Sequence, residues 1–247
     1  MVRVADTIIT PTESVKREVC QRLNVKAGKV TAIPSAARVG FRPRTLAQTV
    51  PIRKRLGVED DFLLFVGTLE PRKNLLTLLK AFEQIAGASS LCPQLVIAGG
   101  EGWLMDEMFA FMKKPAIADR LCLTGYLKDD ELCALYSSCK AFIYPSVHEG
   151  FGLPPLEAMA CGAPVIAGRI PALQETLGSA ALLVEPLDVE ALAKAIAGLL
   201  HDESRRNTLS SAGQQHAAKF SWERTARLTL DVYRKLLKTR AGDSDQD

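Results

Sequence analysis

No apolar run in the sequence is long enough to cross a lipid bilayer. The longest apolar stretches, such as Phe62 to Val66 and Leu95 to Ala98, are several-fold shorter than the ~20 residues that a spanning helix needs. The first residues, Met-Val-Arg-Val-Ala-Asp, contain no apolar core of a secretory signal. We therefore expect a cytoplasmic protein.

Cysteine and histidine are sparse. The six cysteines form no C-x-x-C pair, and none of the three histidines lies near one at metal-ligand spacing. The sequence therefore indicates neither a disulfide scaffold nor a zinc site. No Ser/His/Asp grouping has the frame of a nucleophile elbow, so hydrolysis by a serine nucleophile is not indicated.

Glycine and proline are also few, 17 and 13 in 247 residues, which excludes collagen-like and low-complexity chains. With 47% hydrophobic and 24% charged residues, the composition is that of a globular protein with a sizeable core. The length allows one large or two small domains.

Positive charge is concentrated at one end of the chain. Residues 1–57 carry twelve Lys and Arg against three Asp and Glu, a net +9, whereas residues 58–247 carry 19 against 25, a net −6. The overall net charge of +3 is too small to indicate a nucleic-acid partner. The basic segment is interpreted either as a solvated face or as a surface for an anionic membrane, an anionic acceptor or an acidic partner.

Residues 1–57 are predicted to form a separate N-terminal unit. Asp6–Thr10 and Lys29–Ile33 read as short strands, and residues 36–57 read as a linker because of their proline-containing turns. A lone β-α-β unit cannot cover its own apolar faces, so we expect this unit to need a partner.

A helix is predicted between these two strands, ending near Leu23. Thr10 is expected to cap it, with Pro11 at the first position and Glu13 completing a capping box.

Residues 58–220 alternate short apolar strands with amphipathic helices, which predicts a doubly wound, mostly parallel, Rossmann-like α/β domain. Residues 221–247 are expected to be a C-terminal helix with a polar tail. The predicted strands are Phe62–Val66, Gln94–Ala98, Arg120–Thr124, Ala141–Tyr144, Pro164–Ala167 and Ala181–Val184. Ligands of such sheets bind at the carboxyl ends of the strands, where the strand order reverses.

Three of the loops after these strands carry groups suited to a nucleotide diphosphate. Arg72 and Lys73 stand side by side after the first strand, and cations at a helix start oppose the helix dipole unless an anion is bound. Gly99 and Gly100 follow the second strand. They allow either a tight turn or the close approach of a ligand to the backbone. Glu149 and Glu157 flank a short helix after the fourth strand, with Glu157 one turn in and within reach of a ribose diol.

The chain resembles the retaining glycosyltransferases of the two-Rossmann-domain (GT-B) architecture, group 1, family 4. The resemblance is carried by EGFGLPPLEAMACGAPVI from Glu149, GTLEPRKN from Gly67, GGEGW from Gly99, TGYLKDDEL from Thr124 and FSWERTA from Phe220. It covers nearly the whole chain and implies the C-terminal, donor-binding domain, with 1–35 as the last β-α-β unit of an acceptor domain.

The resemblance also implies roles for individual residues. Arg72 and Lys73 would hold the donor diphosphate and, with Glu149, act in catalysis; Glu149 would bind sugar hydroxyls and Glu157 the ribose. The turn at Tyr126 and Leu127 would lie beside the base. The full donor-binding set is Gly67, Arg72, Lys73, Gly99, Gly100, Tyr126, Leu127, His148, Glu149, Gly150, Phe151, Gly152, Leu153 and Glu157. In this set the backbone amides of Phe151, Gly152 and Leu153 would cap the sugar and phosphate.

The implied reaction transfers a hexose from a nucleotide-diphospho-sugar with retention of configuration and needs no metal or other cofactor, because cations stabilise the departing diphosphate. The residues of these motifs most resemble those of mannosyl-transferring members of the family, so GDP-mannose is favoured over UDP-linked donors. We expect self-association or a separate acceptor domain through residues 1–57, peripheral contact with an anionic membrane, and no nucleic-acid partner.

Two features depart from the family pattern. The turn that usually reads Asn-Gly-Val-Asp is Ser35-Ala36-Ala37-Arg38, and Arg169 stands where small polar residues are common. Asp243 and Asp245 spell the D-x-D metal signature of the other large glycosyltransferase fold, but in a polar tail without an adjacent strand.

Two alternative functions can be compared with this one. A binding module would hold the nucleotide sugar without transferring it. A nicotinamide-dependent oxidoreductase is disfavoured because G-x-G-x-x-G is absent.

Overall fold

The computed structural model describes residues 4–88, 92–103 and 106–244, which form two parallel β-sheets and the helices around them. The strands are β1 Ile8–Thr10, β2 Val30–Ala32, β3 Phe62–Val66, β4 Gln94–Ala98, β5 Leu121–Gly125, β6 Ala141–Tyr144, β7 Val165–Gly168 and β8 Leu182–Val184. The α-helices are α1 Glu13–Leu23, α2 Leu46–Leu56, α3 Leu75–Ala88, α4 Asp106–Met112, α5 Asp129–Ser138, α6 Leu153–Ala160, α7 Pro171–Leu177, α8 Val189–His201, α9 Glu203–Ala217 and α10 Trp222–Ser244.

The large sheet has the order β5-β4-β3-β6-β7-β8, and its strand pairs are parallel throughout. The chain builds outward from β3 to β5, returns, and then builds from β6 to β8 on the other side. The strand order therefore reverses between β3 and β6, and the predicted doubly wound α/β fold is confirmed.

The core lies on both faces of this sheet, because strand side chains alternate between faces. In β3, Phe62 and Leu64 pack into one apolar cluster while Leu63 and Phe65 pack into the other. All four are fully buried. Burial of each such side chain contributes roughly 1.5–3 kcal/mol, which explains why β3 reads as an unbroken apolar run.

The N-terminal unit is a two-stranded parallel sheet, β1 with β2, and α1 connects the two strands. The expected cap at Thr10 is wrong, because Thr10 is the last residue of β1 and pairs with Ala32. Thr12 caps α1 instead, its hydroxyl accepting from the amide of Val15 at 3.2 Å.

Contacts through α1 fix this unit on the large domain. The carboxylate of Glu175, on α7, accepts from the amides of Glu13 and Ser14 at 2.7 and 2.9 Å. A negative charge at a helix N-terminus stabilises it, so one side chain both caps α1 and joins the two units. The hydroxyl of Thr12 also donates to the carbonyl of Gly150 at 3.0 Å, which places α1 beside the loop after β6.

The segment expected as a linker, residues 36–57, contains the helix α2, with Pro51 inside it. Three arginines of this segment form ion pairs with the three acidic residues in the first turn of α5, in the same order along the chain. Negative charge in that turn also stabilises α5 through its helix dipole. The pairs are Arg38 with Asp129, Arg44 with Asp130 at 2.9 Å, and Arg55 with Glu131 at 2.8 Å. Part of the concentrated positive charge is therefore neutralised within the chain.

The last helix, α10, returns to the N-terminal unit. Thr225 donates to the carbonyl of Pro34 at 2.7 Å, and the indole of Trp222 donates to the carbonyl of Ala37 at 2.9 Å. Val4 and Leu23 nevertheless remain exposed. Among the described residues, no helix combines the length and apolar character that crossing a membrane requires.

Candidate functional site

The candidate site lies where the loops after β3 and β6 meet at the strand-order reversal. The amide of Val147 donates to the carbonyl of Arg72 at 2.9 Å. Asn74, in a left-handed conformation with φ 57°, donates from its side chain to the carbonyl of Pro145 at 3.0 Å and also to that of Pro186. One asparagine therefore holds the loops after β3, β6 and β8 together.

A buried ion pair forms the centre of this site. The ammonium of Lys73 lies 2.6 Å from Oε1 of Glu149, and both side chains are under 10% exposed, at 8% and 9%. The hydroxyl of Tyr144 donates to the same oxygen at 2.8 Å and accepts from Lys73 at 2.5 Å. Tyr144 is the last residue of β6, so the sheet itself fixes the position of the pair.

Arg72 occupies the open side of the cluster, with its side chain 44% exposed. Its Nε lies 2.6 Å from Oε1 of Glu70, and its Nη1 lies 3.1 Å from Oε1 of Glu149. The two cations therefore already have carboxylate partners within the protein. These carboxylates supply negative charge at the helix start, the role for which the sequence argument invoked a bound anion, so binding of an anion stays a prediction.

Burial and charge act in opposite directions on the central pair. Burial would raise the pKa of Glu149, but attraction to Lys73, with the hydrogen bonds from Lys73 and Tyr144, outweighs it and holds that pKa below its ordinary value. Burial lowers the pKa of Lys73, against the attraction of Glu149. Burial also raises the pKa of Tyr144 well above its ordinary value, so its hydroxyl keeps its proton for the carboxylate.

The glycine loop after β4 packs on the loop after β3. A Cβ on Gly99 would lie 2.0 Å from the carbonyl oxygen of Gly67, and one on Gly102 would lie 2.1 Å from that of Leu69. Close backbone packing thus explains these two glycines, in favour of the turn interpretation. A Cβ on Gly100 would meet no atom within 4 Å, so of these three glycines Gly100 is the one that offers open space to a ligand.

The helix α6 begins at the site with Gly152 as its N-cap, at φ 93°. A Cβ there would lie 2.4 Å from Cδ2 of Leu173, at the end of a flexible side chain, so the left-handed backbone is the main reason for glycine at this position. Within the described ranges, the amides of Phe151, Gly152 and Leu153 have no protein acceptor. The side chain of Phe151 is buried against Phe220, with ring centroids 5.9 Å apart, so only its backbone is available.

Glu157 lies on α6, one turn in, as expected, but a partner already covers it. Nε and Nη2 of Arg38 donate to its two carboxylate oxygens at 2.7 and 3.1 Å. The Glu157 side chain is 4% exposed. The hydrogen bond to Glu157 raises the pKa of Arg38 above its ordinary value.

The turn after β5 contributes one exposed side chain. Tyr126 is exposed, whereas the side chain of Leu127 is buried in the core, so the expected role of Leu127 beside the base is left to its backbone. His148 is exposed at the rim, and its carbonyl accepts from Arg72 at 3.4 Å.

The structure thus brings together the loops of Gly67, Arg72, Lys73, Gly100 and Glu149, with the start of α6 beside them. Sequence reasoning missed Tyr144 and Asn74, although Asn74 ends the quoted GTLEPRKN motif, and it noted Arg38 only as a departure from the pattern. Nothing in the sequence distinguishes Tyr144 from an ordinary buried aromatic residue.

No group of three or more His, Cys, Asp or Glu side chains in the described part of the chain could hold a metal ion. Asp245 of the D-x-D sequence lies outside the described residues, and the side chain of Asp243 is not among those described.

Residues 50–216 match the family of glycosyl transferases group 1. The chain belongs to this glycosyltransferase family. It is 32% identical, over 94% of its length, to O-antigen chain mannosyltransferase B of Escherichia coli, and the match covers 61% of that relative. The chain therefore spans about three fifths of that curated relative.

Solved structures agree with this assignment. Sucrose-phosphate synthase from Thermosynechococcus elongatus superposes with a TM-score of 0.81 at 29% identity, over 95% of this glycosyltransferase chain and 59% of the other. Anabaena HepE, solved with UDP and glucose, gives 0.83 at 20% identity over 96% and 64%. The fold is that of GT-B glycosyltransferases.

The charge balance of the site predicts a pH-dependent stability. Glu149→Gln should lower the free energy of unfolding by about 3 kcal/mol at pH 7, because it leaves the buried Lys73 without a counter-charge. A depressed pKa contributes stability above the unfolded carboxylate range, near ~4.3, and that contribution is lost as the pH falls through the folded pKa. The difference between the two proteins in urea unfolding should therefore shrink below about pH 4.

Glu190→Gln is the matched control, since Glu190 is exposed in the first turn of α8. Its effect should stay within about 0.5 kcal/mol. A Glu149→Gln difference that is constant from pH 7 to pH 3.5 would contradict the assigned ion pair.

Proposed function

We propose that this chain is the donor-binding part of a retaining glycosyltransferase of family 4, which transfers a hexose from a nucleotide-diphospho-sugar. One observation carries the proposal: the cluster of Arg72, Lys73 and Glu149 lies at the strand-order reversal, where open α/β sheets bind their ligands. Membership in the glycosyltransferase family supplies the class of ligand.

The donor diphosphate binds beside Arg72. A guanidinium has five N–H donors, so Arg72 can keep Glu70 and still present its exposed edge to phosphate oxygens. Lys73 adds a second positive charge in a site of low dielectric. Negative charge develops on the diphosphate as the bond to the sugar breaks, and these fixed cations stabilise it without a metal.

The sugar lies between Glu149 and the start of α6. Glu149 accepts hydrogen bonds from sugar hydroxyls, and the amides of Phe151, Gly152 and Leu153 donate to the sugar and phosphate. Because Lys73 and Tyr144 converge on one oxygen of Glu149, Oε1, its other oxygen is oriented for the ligand.

Glu157 takes the ribose diol, and the exposed ring of Tyr126 lies beside the base. The similarity to a relative named as a mannosyltransferase supports a mannosyl donor, and the UDP bound in Anabaena HepE supports a nucleotide sugar. GDP-mannose is the donor we favour, with UDP-linked sugars to be tested beside it.

A second candidate is a module that binds nucleotide sugar without transferring it. In its favour, the cluster of Arg72, Lys73 and Glu149 is assigned to contacts with the donor, and a module that only binds the donor would use the same contacts. Transfer requires the acceptor to be held against the anomeric carbon, and such positioning can supply ~7–11 kcal/mol of the barrier.

The diphosphate assignment is tested by removing its cations. Arg72→Ala and Arg72→Ala with Lys73→Ala should weaken binding of GDP or UDP by roughly 10- to 100-fold per residue, since charged hydrogen bonds contribute about 1.5–3 kcal/mol. Guanosine and uridine should bind almost as before. Calorimetry measures both, with Lys114→Ala as a control in an ion pair with Glu83 outside the site. Equal losses for nucleotide and nucleoside would overturn the assignment.

The two glutamates are separated by what each contacts. Glu157→Gln should weaken binding of the bare nucleotide and of the nucleotide sugar alike, by about 10-fold, because both contain the ribose. Glu149→Gln should penalise the nucleotide sugar more than the bare nucleotide. If titrations with GDP and GDP-mannose gave the reverse pattern, the two roles would have to be exchanged.

The N-terminal unit is proposed to pair with a second copy or a separate acceptor domain, since Val4, Ile9 and Leu23 are exposed on it. We expect light scattering to detect association that Leu23→Asp weakens, and at most slow donor hydrolysis by the chain alone. A monomer that transfers sugar at ~1 per second, an ordinary enzyme rate, would contradict this proposal.

A further inference from the structure

We propose that Arg38 is a specificity-determining residue that competes with the ribose of the ligand for Glu157. This inference rests on the proposed function, since it takes Glu157 as the ribose-binding carboxylate. In the structure, Nε and Nη2 of Arg38 bind its two oxygens at 2.7 and 3.1 Å, an arrangement that a vicinal diol would have to replace.

Burial makes the competition direct. The Glu157 side chain is 4% exposed, whereas that of Arg38 is 42% exposed and covers it. Two ribose hydroxyls can reach the carboxylate only after the guanidinium has moved aside. A ligand that contacts the diphosphate cations alone can bind without that movement.

The main chain around Arg38 is held, so the side chain is the part that moves. The carbonyl of Ala37 accepts from the indole of Trp222 at 2.9 Å, and the amide of Phe41 donates to the carbonyl of Arg38 at 3.2 Å. Both Ala36 and Phe41 are buried. The long arginine side chain, by contrast, has several rotatable bonds.

Asp129 provides a partner that Arg38 keeps after it leaves Glu157. Nη1 of Arg38 is already paired with this carboxylate, which is 56% exposed at the start of α5. The guanidinium also lies 4.3 Å from the ring centroid of Phe41. When Arg38 leaves Glu157, its guanidinium becomes solvated on that side and keeps its contact with Asp129. The free-energy cost of displacing it is therefore small enough for a ribose diol to offset.

The sign of the expected effect separates this inference from ordinary electrostatics. Removing a cation near a diphosphate site normally weakens the binding of an anion. If Arg38 competes for Glu157, its removal instead tightens the binding of ribonucleotides.

The experiment titrates Arg38→Gln and the wild-type chain with GDP and UDP and with their 2′,3′-dideoxy analogues, which lack the diol. We expect Arg38→Gln to bind the better of the two ribonucleotides about 10-fold more tightly, the scale of one charged hydrogen bond. The dideoxy analogues, which cannot use Glu157 through a diol, should show no such gain. Arg44→Gln is the matched control, because Arg44 pairs with Asp130 in the same arginine series and should leave both affinities unchanged.

Arg38→Lys keeps the positive charge and should show a smaller gain of the same sign, which guards against a Gln variant that folds poorly. Weaker or unchanged ribonucleotide binding by Arg38→Gln would overturn the inference, as would an equal gain for the dideoxy analogues. Absence of nucleotide binding by the wild-type chain itself would overturn the proposed function, and this inference with it.

Discussion

The burial of the Lys73 ammonium is the constraint on which the rest of the site depends. A charged group that is 8% exposed is stable only with a close counter-charge and hydrogen bonds, and Glu149 and Tyr144 supply both. Those partners come from β6 and from the loop after it. The need of buried Lys73 for a counter-charge therefore fixes where that loop passes the end of β3. The position of Glu149 is thus set by the folding of the sheet before any ligand is present.

The contacts to the backbone around Lys73 and Glu149 hold the loops that carry this pair in place. Asn74 holds the loops after β3, β6 and β8, and Glu175 holds α1 against α7. Glycine is required at Gly99, which packs on the backbone of Gly67, and at Gly152, whose backbone is left-handed at the start of α6. Each contact lies between elements far apart in sequence, so the edge of the sheet acts as one rigid frame.

The apolar pattern of the strands was sufficient to predict the large sheet, because buried parallel strands such as β3 and β6 must be apolar on both faces. The cap of α1 was misplaced by two residues, since Thr10 and Thr12 both have capping side chains and only strand pairing decides between them. The helix α2 was missed because Pro51 reads as a helix breaker. Its boundaries are nonetheless marked by local signals, because the side chain of Gln48 accepts from the amide of Thr45 at 2.9 Å and Gly57 ends the helix in a left-handed conformation.

The site was predictable only in part, for a related reason. Arg72, Lys73 and Glu149 belong to local motifs, so their meeting follows from the order of the strands. The carboxylates that neutralise the cations, and the burial of Leu127, depend on how the loops pack. Pairs such as Arg38 with Glu157 join residues 119 positions apart, and no periodicity or local spacing indicates them.

Pairing of charges within the protein has a consequence for any ligand. Arg72 is bound by Glu70 and Glu149, Lys73 by Glu149, and Glu157 by Arg38. A nucleotide diphosphate therefore binds groups that already have partners, and wherever it replaces one of them the gain in affinity is the difference between two similar sets of charged hydrogen bonds. The geometry of the ligand decides that difference. Phosphate oxygens can take the place of the carboxylates beside Arg72 and Lys73, and a diol can take the place of Arg38 at Glu157, so a ligand that carries both groups gains more than a ligand with one of them. A site of this kind is stable when empty and selective when filled, because its charges are never left buried without a partner.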